Sequence, residues 1–568
     1  MLKKYFAGVK RLTKFILRRE AVTAAVWVGV LLIMTAAVGA AFGGLFSAEA
    51  DIFSMEMMMR NPAMIAMLGP LYALEPSTVE IVYDALGNAA SAYRLTTTTG
   101  GLFTNSMLLF SAMAVCVMNI FLVARNTRSD EEKGREELIL SLPVGRLSNL
   151  SAAMAAAVII NTALALTVGL GLGFATWGIE SMDFCGAMLY GAALGAIGLL
   201  FAGIAAVFCQ ICQSSVASIG GSLAAMGFFY LLRVPGDMAE AAGNASGGLA
   251  MVSPLGLLMR TRIYAGNIFW PVSVVLLLFA GFTACAFYFN ATRDLDQGLI
   301  PAKKGRRAAS MLLKTPEGLA FRLLRNSFII WSSLFFILGI AYGAVLGDIA
   351  GFLEGNELLG LMFSIEGAEL EKGFVATIFS IMAVLAAVPA EHAVLKPFYE
   401  EKNHRYENIL SKAVSRSRIL TGYLIIALIK SAVMIFCLAF GMFLAAAAVM
   451  GNPIPFSEMM AAAFVYLPAM WAAVGVAAFA GGIFTKHASA IAYGYLGFSL
   501  ALTYLGPMIL QDAYQYLRFL SPFGYIPKLL IEPELLFTAF IPTIVILFIA
   551  AAFTAAGYIG YRRRDYGV

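Results

Sequence analysis

Acidic and basic side chains at a regular spacing form a charged segment that the chain contains twice. Residues 131–146 and residues 401–416 share acidic, basic and apolar side chains at a set of matching positions. The matching charged positions are Glu131 with Glu401, Arg135 with Arg405, and Glu137 with Glu407. Charges at a fixed spacing on a surface helix can pair with complementary charges on a partner protein. A repeat whose period is half the chain also indicates two domain-sized modules.

Local signals predict a short helix in each copy of the charged segment. Ser129 and Glu132 have the spacing of a capping box, which predicts a helix start. Glu131 and Arg135 are four residues apart, so we expect them to pair on the helix surface. In the second copy, Pro397 suits the first turn of the corresponding helix. The sequence therefore predicts two short, mixed-charge helices that lie along the membrane surface.

Two interpretations of this segment are open. It could be a solvated loop that only helps to fix the membrane topology, or it could be a docking point for a soluble partner. Topology depends on positive charge rather than on one particular spacing of acids and arginine. The repeated spacing therefore favours two equivalent docking points.

Few other residues suggest catalysis or metal binding. The six cysteines lie in or beside apolar stretches, and the three histidines are not clustered, so we expect neither a metal centre nor a catalytic site. Lys430 falls within a predicted span. It could serve a substrate pathway or gate, because intramembrane charge is costly, or it could snorkel to the interface. Glu391 and His392 could belong to the membrane interface or to a proton relay.

The composition is that of a polytopic membrane protein. Of 568 residues, 60% are hydrophobic and 13% are charged, whereas a soluble protein is about half apolar and about one quarter charged. Apolar runs long enough to cross a bilayer lie near residues 21–46, 105–124, 148–176, 185–209, 216–232, 271–290, 328–347, 374–395, 419–450, 461–484, 488–510 and 538–561. The alternating pattern of a barrel is missing. We therefore expect an all-α polytopic membrane protein, with twelve transmembrane helices arranged as two tandem six-helix modules.

Charge asymmetry predicts the orientation of these spans. Basic residues are concentrated in residues 291–327 and near the end of the chain, whereas residues 348–373 are mostly acidic. The positive-inside rule therefore places both termini in the cytoplasm, in a bacterial cell membrane. The predicted domains are an N-terminal cytoplasmic interfacial helix (1–20), a first six-span module (21–290), a basic cytoplasmic linker with a second interfacial helix (291–327), and a second six-span module (328–568).

The segment EEKGREELILSLPVGR at residues 131–146 resembles the cytoplasmic signature of type-two ABC exporter permeases, E-x-x-x-G-x-x-E-x-L-L-x-x-P-V-x-R. Two such modules in one chain resemble, over its whole length, the polyketide-antibiotic and multidrug exporter branch of that family. This resemblance implies a fold of the type V ABC exporter kind. The second copy departs from the signature, with Asn403 and His404 in the glycine region and Ala413 in place of the proline. Its docking could therefore be weaker or asymmetric.

The resemblance also implies the partners of the chain. Such permeases contain no ATPase, and this chain has no G-x(4)-G-K-[ST] phosphate-binding loop. Two copies of a separate ABC-type ATPase subunit would bind ATP and Mg, while this chain would bind no cofactor. One copy would dock on Glu131, Glu132, Arg135, Glu136 and Glu137, and the other on Glu400, Glu401, Arg405 and Glu407. Short re-entrant helices are implied on the outer side, within residues 233–270 and 511–537.

The resulting hypothesis is a non-enzymatic permease subunit of an ATP-driven exporter. Its cargo would be a hydrophobic or amphipathic compound (a drug, an antibiotic or a lipid-like molecule) that passes between the two halves. The main alternative is a twelve-span secondary transporter driven by an ion gradient. The long Glu/Arg segment and the scarcity of charges deep in the spans argue against it. A lipid-linked membrane enzyme would need acids or histidines clustered at one membrane face, and a scaffold without transport is a further alternative.

Overall fold

A computed structural model of the chain divides it into two compact units, Met1–Lys304 and Gly305–Val568. The structure describes residues 5–46, 52–53, 55–56, 59–60, 62–72, 80–83, 89–93, 97–241, 245–294, 297–300, 308–346, 370–402, 405–411, 414–451, 453–504, 517–526, 530 and 540–563. Among these residues, eleven helices are long and apolar enough to cross a membrane. The fold is thus that of a multi-pass membrane protein, as the composition predicted.

Six of the eleven long helices belong to the described part of the first unit. Its helices are α1 (Val9–Leu45), α2 (Pro62–Leu68), α3 (Thr99–Asn126), α4 (Arg128–Glu132), α5 (Arg135–Leu140), α6 (Ser148–Ala175), α7 (Phe184–Ile211), α8 (Ser215–Ala241), α9 (Pro254–Met259) and α10 (Trp270–Thr292), with a 3₁₀ helix at Ala245–Val252. Two short antiparallel strands, β1 (Glu80–Tyr83) and β2 (Ala89–Tyr93), lie between α2 and α3. Apart from this hairpin, the secondary-structure elements of the described residues are helical, as the all-α class predicted.

The basic N-terminal stretch does not form a helix of its own. It is the beginning of α1, which continues for 37 residues without a break. No proline interrupts residues 9–45, so nothing in the sequence forces the chain to turn between the basic stretch and the first span. At about 1.5 Å per residue such a helix is about 55 Å long, well beyond the roughly 30 Å of a hydrocarbon core. Its basic part must therefore project from the core.

The helix α7 forms the centre of the first unit, since most of its apolar window is buried. Gly191 and Gly195 let α7 approach α6 closely: a Cβ added at Gly191 would lie 2.1 Å from the carbonyl oxygen of Ala165. On the neighbouring pair, buried Asn119 of α3 and Asn161 of α6 exchange side-chain hydrogen bonds of 3.0 and 2.6 Å. Small residues and paired amides are the usual means by which helices pack in a membrane.

The second unit has five of the eleven long helices within its described residues. Its helices are α11 (Pro316–Val345), α12 (Leu370–Lys402), α13 (Glu407–Leu410), α14 (Arg416–Val449), α15 (Phe456–Phe464), α16 (Leu467–Ile483), α17 (Ala488–Tyr504) and α18 (Phe540–Arg563), with 3₁₀ helices at Met311–Lys314, Arg518–Leu520 and Pro522–Tyr525. One long helix of this unit comprises α15 and α16. The shorter α17 covers the start of the eleventh predicted span, but residues 505–516 lie outside the described residues. The twelve-span arrangement therefore stays a prediction.

A serine–proline corner recurs in the two units. Ser253 precedes α9, and Ser521 precedes the 3₁₀ helix Pro522–Tyr525; in both, proline occupies the first helical turn, where its missing N–H costs little. Each serine hydroxyl donates back to a carbonyl of a preceding helix, Ser253 to Phe229 at 2.6 Å and Ser521 to Ser499 at 3.2 Å. The internal repeat thus extends to local geometry. Both re-entrant segments, within 233–270 and 511–537, stay predictions, and much of the second lies outside the described residues.

Candidate partner-docking segments

The segment between α3 and α6 consists of two short helices rather than the one predicted. The helices α4 and α5 are separated at Gly134, whose φ of 69° is a left-handed conformation that glycine adopts readily. The predicted capping box is not formed. Thr127, not Ser129, precedes α4, and its side chain makes no capping bond, while the Glu132 carboxylate binds Ser215 instead.

Arg135 pairs with Asp130, and not with Glu131 as we predicted. The distance from Arg135 Nη1 to Asp130 Oδ1 is 3.2 Å. The second unit repeats this pair: Arg405 Nη1 lies 3.1 Å from Glu400 Oε2, again five positions earlier. A helix ends between the two partners in each copy, at Glu132 and at Lys402. The four-residue spacing of a continuous helix therefore does not apply.

Glu131 is buried and binds two arginines. Both terminal nitrogens of Arg293, which follows α10, lie 2.6 Å from its two carboxylate oxygens, and Arg128 Nη1 lies 2.9 Å away. Arg293 is itself fixed by Gln210 at 2.6 Å and by the carbonyl of Gln297 at 2.8 Å. Bidentate arginine–carboxylate pairs of this kind are strong and geometrically specific.

Two further acids of the segment are bound to other helices. Glu132 accepts the backbone N–H of Ser215 at 3.1 Å and its hydroxyl at 2.6 Å, so a negative charge lies at the N-terminus of α8, where the helix dipole favours it. Glu136 is buried and bonds the side chain of Asn149 on α6. Burial, followed by the negative charge of Glu131, raises the pKa of the Glu136 carboxyl to about 7.

The acids of the first segment therefore connect it to four different long helices. The connections are Asp130 to Arg19 of α1 at 2.7 Å, Glu131 to Arg293 after α10, Glu132 to Ser215 of α8, and Glu136 to Asn149 of α6. A displacement of this segment must move these helices or break these polar contacts, most of which involve a buried acid.

The exposed part of the first segment is narrower than the predicted docking set. Glu132, Arg135 and Glu137 are exposed, whereas Glu131 and Glu136 are buried. Two leucines that the predicted set omitted, Leu138 and Leu142, are 72% and 60% exposed. The surface available to a partner thus has apolar side chains with charges beside them.

The second segment follows the same division. Glu400 and Glu401 are buried, while Arg405 and Glu407 are exposed. Glu400 also pairs with Lys396 at 3.0 Å. Pro397 lies inside α12, which continues to Lys402, so the prediction that it begins a separate helix is wrong. Asn403, His404 and Ala413 lie outside the described residues.

Lys430 and Glu391 are both fully buried in the second unit. Lys430 Nζ donates to the hydroxyl of Ser327 on α11 at 2.9 Å, so its amine is held by a neighbouring helix and does not reach the surface. Glu391 on α12 makes no hydrogen bond to the described residues. Within the same residues, no three His, Cys, Asp or Glu side chains form a group that could hold a metal ion.

Sequence reasoning missed the partners that hold the segments in place. Arg293 counted only as one of the basic residues within 291–327, and Ser215 and Asn149 carried no signal at all. Asp130 could have been found from the repeat, because it aligns with Glu400 when Glu131 is matched to Glu401.

The long apolar helices, together with a charged segment fixed to four of them, define a multi-pass membrane protein. A family model described as "Multidrug efflux system permease Rv1217c, C-terminal domain" matches residues 77–284 and 313–562. The multidrug efflux system permease protein Rv1217c of Mycobacterium tuberculosis (strain ATCC 25618 / H37Rv) is 32% identical over 577 residues, which cover 99% of this chain and 95% of that protein. The chain belongs to this multidrug efflux permease family.

Proposed function

We propose that this chain is the transmembrane permease subunit of an ATP-driven ABC exporter, which moves hydrophobic or amphipathic compounds, including drugs, out of the cell. Two copies of a separate ABC-type ATPase subunit would dock at its two charged segments, on the cytoplasmic side, and would hold ATP and Mg. The name of the relative, a multidrug efflux permease, supports the class of cargo.

The observation that carries the proposal is that the first segment has one face bonded to the long helices and another face exposed. Its buried acids Asp130, Glu131 and Glu136 contact three long helices and the exposed Glu132 binds a fourth, while Arg135, Glu137, Leu138 and Leu142 are also exposed. One face is thus available to a soluble partner, and the other is bonded to the bundle. An ATPase subunit that pushes on the exposed face would move several spans at once, because the contacts between the segment and the long helices are charged and short.

The second segment supports two docking points. Its Arg405–Glu400 pair has the same spacing as Arg135–Asp130, and Arg405 and Glu407 are exposed. Each ATPase subunit would thus meet an exposed arginine and an exposed glutamate at the same spacing.

Co-expression and co-purification with a candidate ABC-type ATPase subunit test this proposal. Reversing the exposed charges with Arg135→Glu and Glu137→Arg is expected to lower ATPase association about tenfold, because like charges then face the partner. The control is Glu180→Arg, at an exposed acid between α6 and α7, far along the chain from either segment. Unchanged association of the double variant would reject docking at this segment.

A second measurement separates this function from ion-gradient transport. Proteoliposomes containing the chain with its ATPase are expected to move a fluorescent amphipathic dye only when ATP and Mg are present. Dye movement by the chain alone, driven by a proton or sodium gradient without ATP, would reject the proposal in favour of a secondary transporter.

A further inference from the structure

A partly open cavity of about 210 Å³ lies among α1, α3 and α6, beside the basic end of α1. Its walls are mainly apolar, and charged groups are confined to one end. The walls are formed by Thr23, Ala24, Trp27, Met118, Phe121, Leu122 and Ile160, and the charged end by Glu20 and Arg125.

The cavity is elongated along the helices. On α3, Met118, Leu122 and Arg125 have the spacing of residues on one helix face. Along α3 this wall is therefore apolar at Met118 and Leu122 and ends at the guanidinium of Arg125. On α1, Glu20 and Trp27 are seven residues apart, or about 10 Å along the axis. An amphipathic molecule with one polar head and an apolar body has this shape and polarity.

The charged end favours an anionic head. Glu20 is 2% exposed, and its carboxylate oxygens accept hydrogen bonds from Arg125 at 3.0 Å and from Asn126 at 3.1 Å. The side chain of Arg125 is 55% exposed, and its Nε and Nη2 donate to no other described residue. The acid is thus internally satisfied, whereas the arginine has donors left for a ligand.

The surroundings add positive charge. Lys10, Arg11, Lys14 and Arg18 are exposed on α1, and residues 5–19 contain no acid. Exposed basic residues near a membrane surface attract anionic lipids by about 1 kcal/mol each. The exposed Phe15 beside them suits insertion at the interface.

We propose that this groove binds an anionic phospholipid from the leaflet at the basic end of the helices. The headgroup phosphate would lie on Arg125, and an acyl chain would lie along Trp27 and Phe121. The site is distinct from the exposed docking face, and it stands whether or not an ATPase subunit binds there.

The lipid can be located with Trp27 as the reporter. The full chain is placed in nanodiscs of phosphatidylcholine with a minor share of phosphatidylglycerol, in which either one lipid or the other is brominated. The chain has four other tryptophans. The Trp27 signal is therefore taken as the difference in fluorescence between the unmodified protein and the Trp27→Phe variant. Brominated phosphatidylglycerol is expected to quench Trp27 at least twofold more than its share of the lipid predicts. Quenching in proportion to that share would overturn the proposal.

Two variants test the contacts. Arg125→Gln is expected to reduce the excess quenching to the bulk level, whereas Arg322→Gln, at an exposed arginine near the start of α11, should leave it unchanged. Since Arg125→Gln also removes a partner of Glu20, Ala24→Leu provides a second variant that fills the groove without touching the ion pair. Retained excess quenching in both variants would overturn the assignment of the lipid to this groove.

Discussion

Arg293 and Glu131 lie 162 positions apart in the chain and are joined by two hydrogen bonds of 2.6 Å. Both side chains are buried, at 5% and 2% exposure. The pair links the end of α10, the last helix of the first unit, to the charged segment between the second and third long helices. Buried ion pairs gain little stability over apolar contacts, but removing one partner leaves an unpaired buried charge. This pair therefore fixes the position of the segment relative to α10.

Breaking this pair on one side is expected to destabilise the first unit. Arg293→Met would leave Glu131 buried with Arg128 as its remaining arginine, and we expect a loss of about 3 kcal/mol. The triple variant Arg128→Met, Glu131→Leu and Arg293→Met removes all three charges of this buried cluster and should recover part of that loss. Thermal unfolding in detergent, followed by fluorescence, measures both effects.

The matched control for this cycle is Arg135→Met in the same segment. The side chain of Arg135 is 57% exposed in its pair with Asp130, so its loss should cost at most about 1 kcal/mol. Equal losses for Arg293→Met and Arg135→Met would show that burial does not distinguish the two pairs.

The sequence was sufficient for the features that depend on local pattern. The apolar runs predicted the long helices, and the repeat of residues 131–146 predicted two related charged segments. The pairing within those segments could not be predicted, because it depends on a helix break. Glu131 and Arg135 have the spacing of a pair on a continuous helix, but the left-handed Gly134 separates α4 from α5. Arg135 then meets Asp130.

Contacts between residues far apart in the chain could not be predicted from local sequence patterns either. Nothing near Ser215 or Arg293 in sequence indicates that each binds a neighbouring acid of one segment. These contacts arise from the packing of α8 and α10 around the segment. The exposed or buried state of the five predicted docking residues follows from the same packing, which is why Glu131 and Glu136 proved to be interior.

The stability of the first unit should fall as the pH rises through the range set by Glu136. Its pKa in the folded protein is about 7, above the usual 4.5, so the folded state holds this proton more tightly than the unfolded state. Between these two values, each rise in pH costs stability, to a limit of about 3 kcal/mol. Glu136→Gln, which stays neutral, should therefore raise the melting temperature at pH 8 and leave it nearly unchanged at pH 4.5.

The control for this prediction is Glu137→Gln, the adjacent acid, whose side chain is exposed. Its melting temperature should follow that of the unmodified protein at both pH values. If Glu136→Gln behaves in the same way as Glu137→Gln at pH 8, burial does not disfavour the charge of Glu136.

Close approach of α6 and α7 should make Gly191 intolerant of even one methyl group. A Cβ there would lie 2.1 Å from Ala165 O and 2.8 Å from Gly169 N, and both are backbone atoms that cannot rotate away. The two helices must separate, so Gly191→Ala should destabilise the protein by about 2 kcal/mol or more.

Gly220→Ala on α8 is the matched control, because nothing lies within 4 Å of its Cβ position. With no clash to offset the better helix propensity of alanine, that variant should be neutral or more stable by up to about 1 kcal/mol. Thermal unfolding of the two variants in one detergent compares them directly, and a Gly191→Ala protein as stable as Gly220→Ala would show that the helices are not in contact at this glycine.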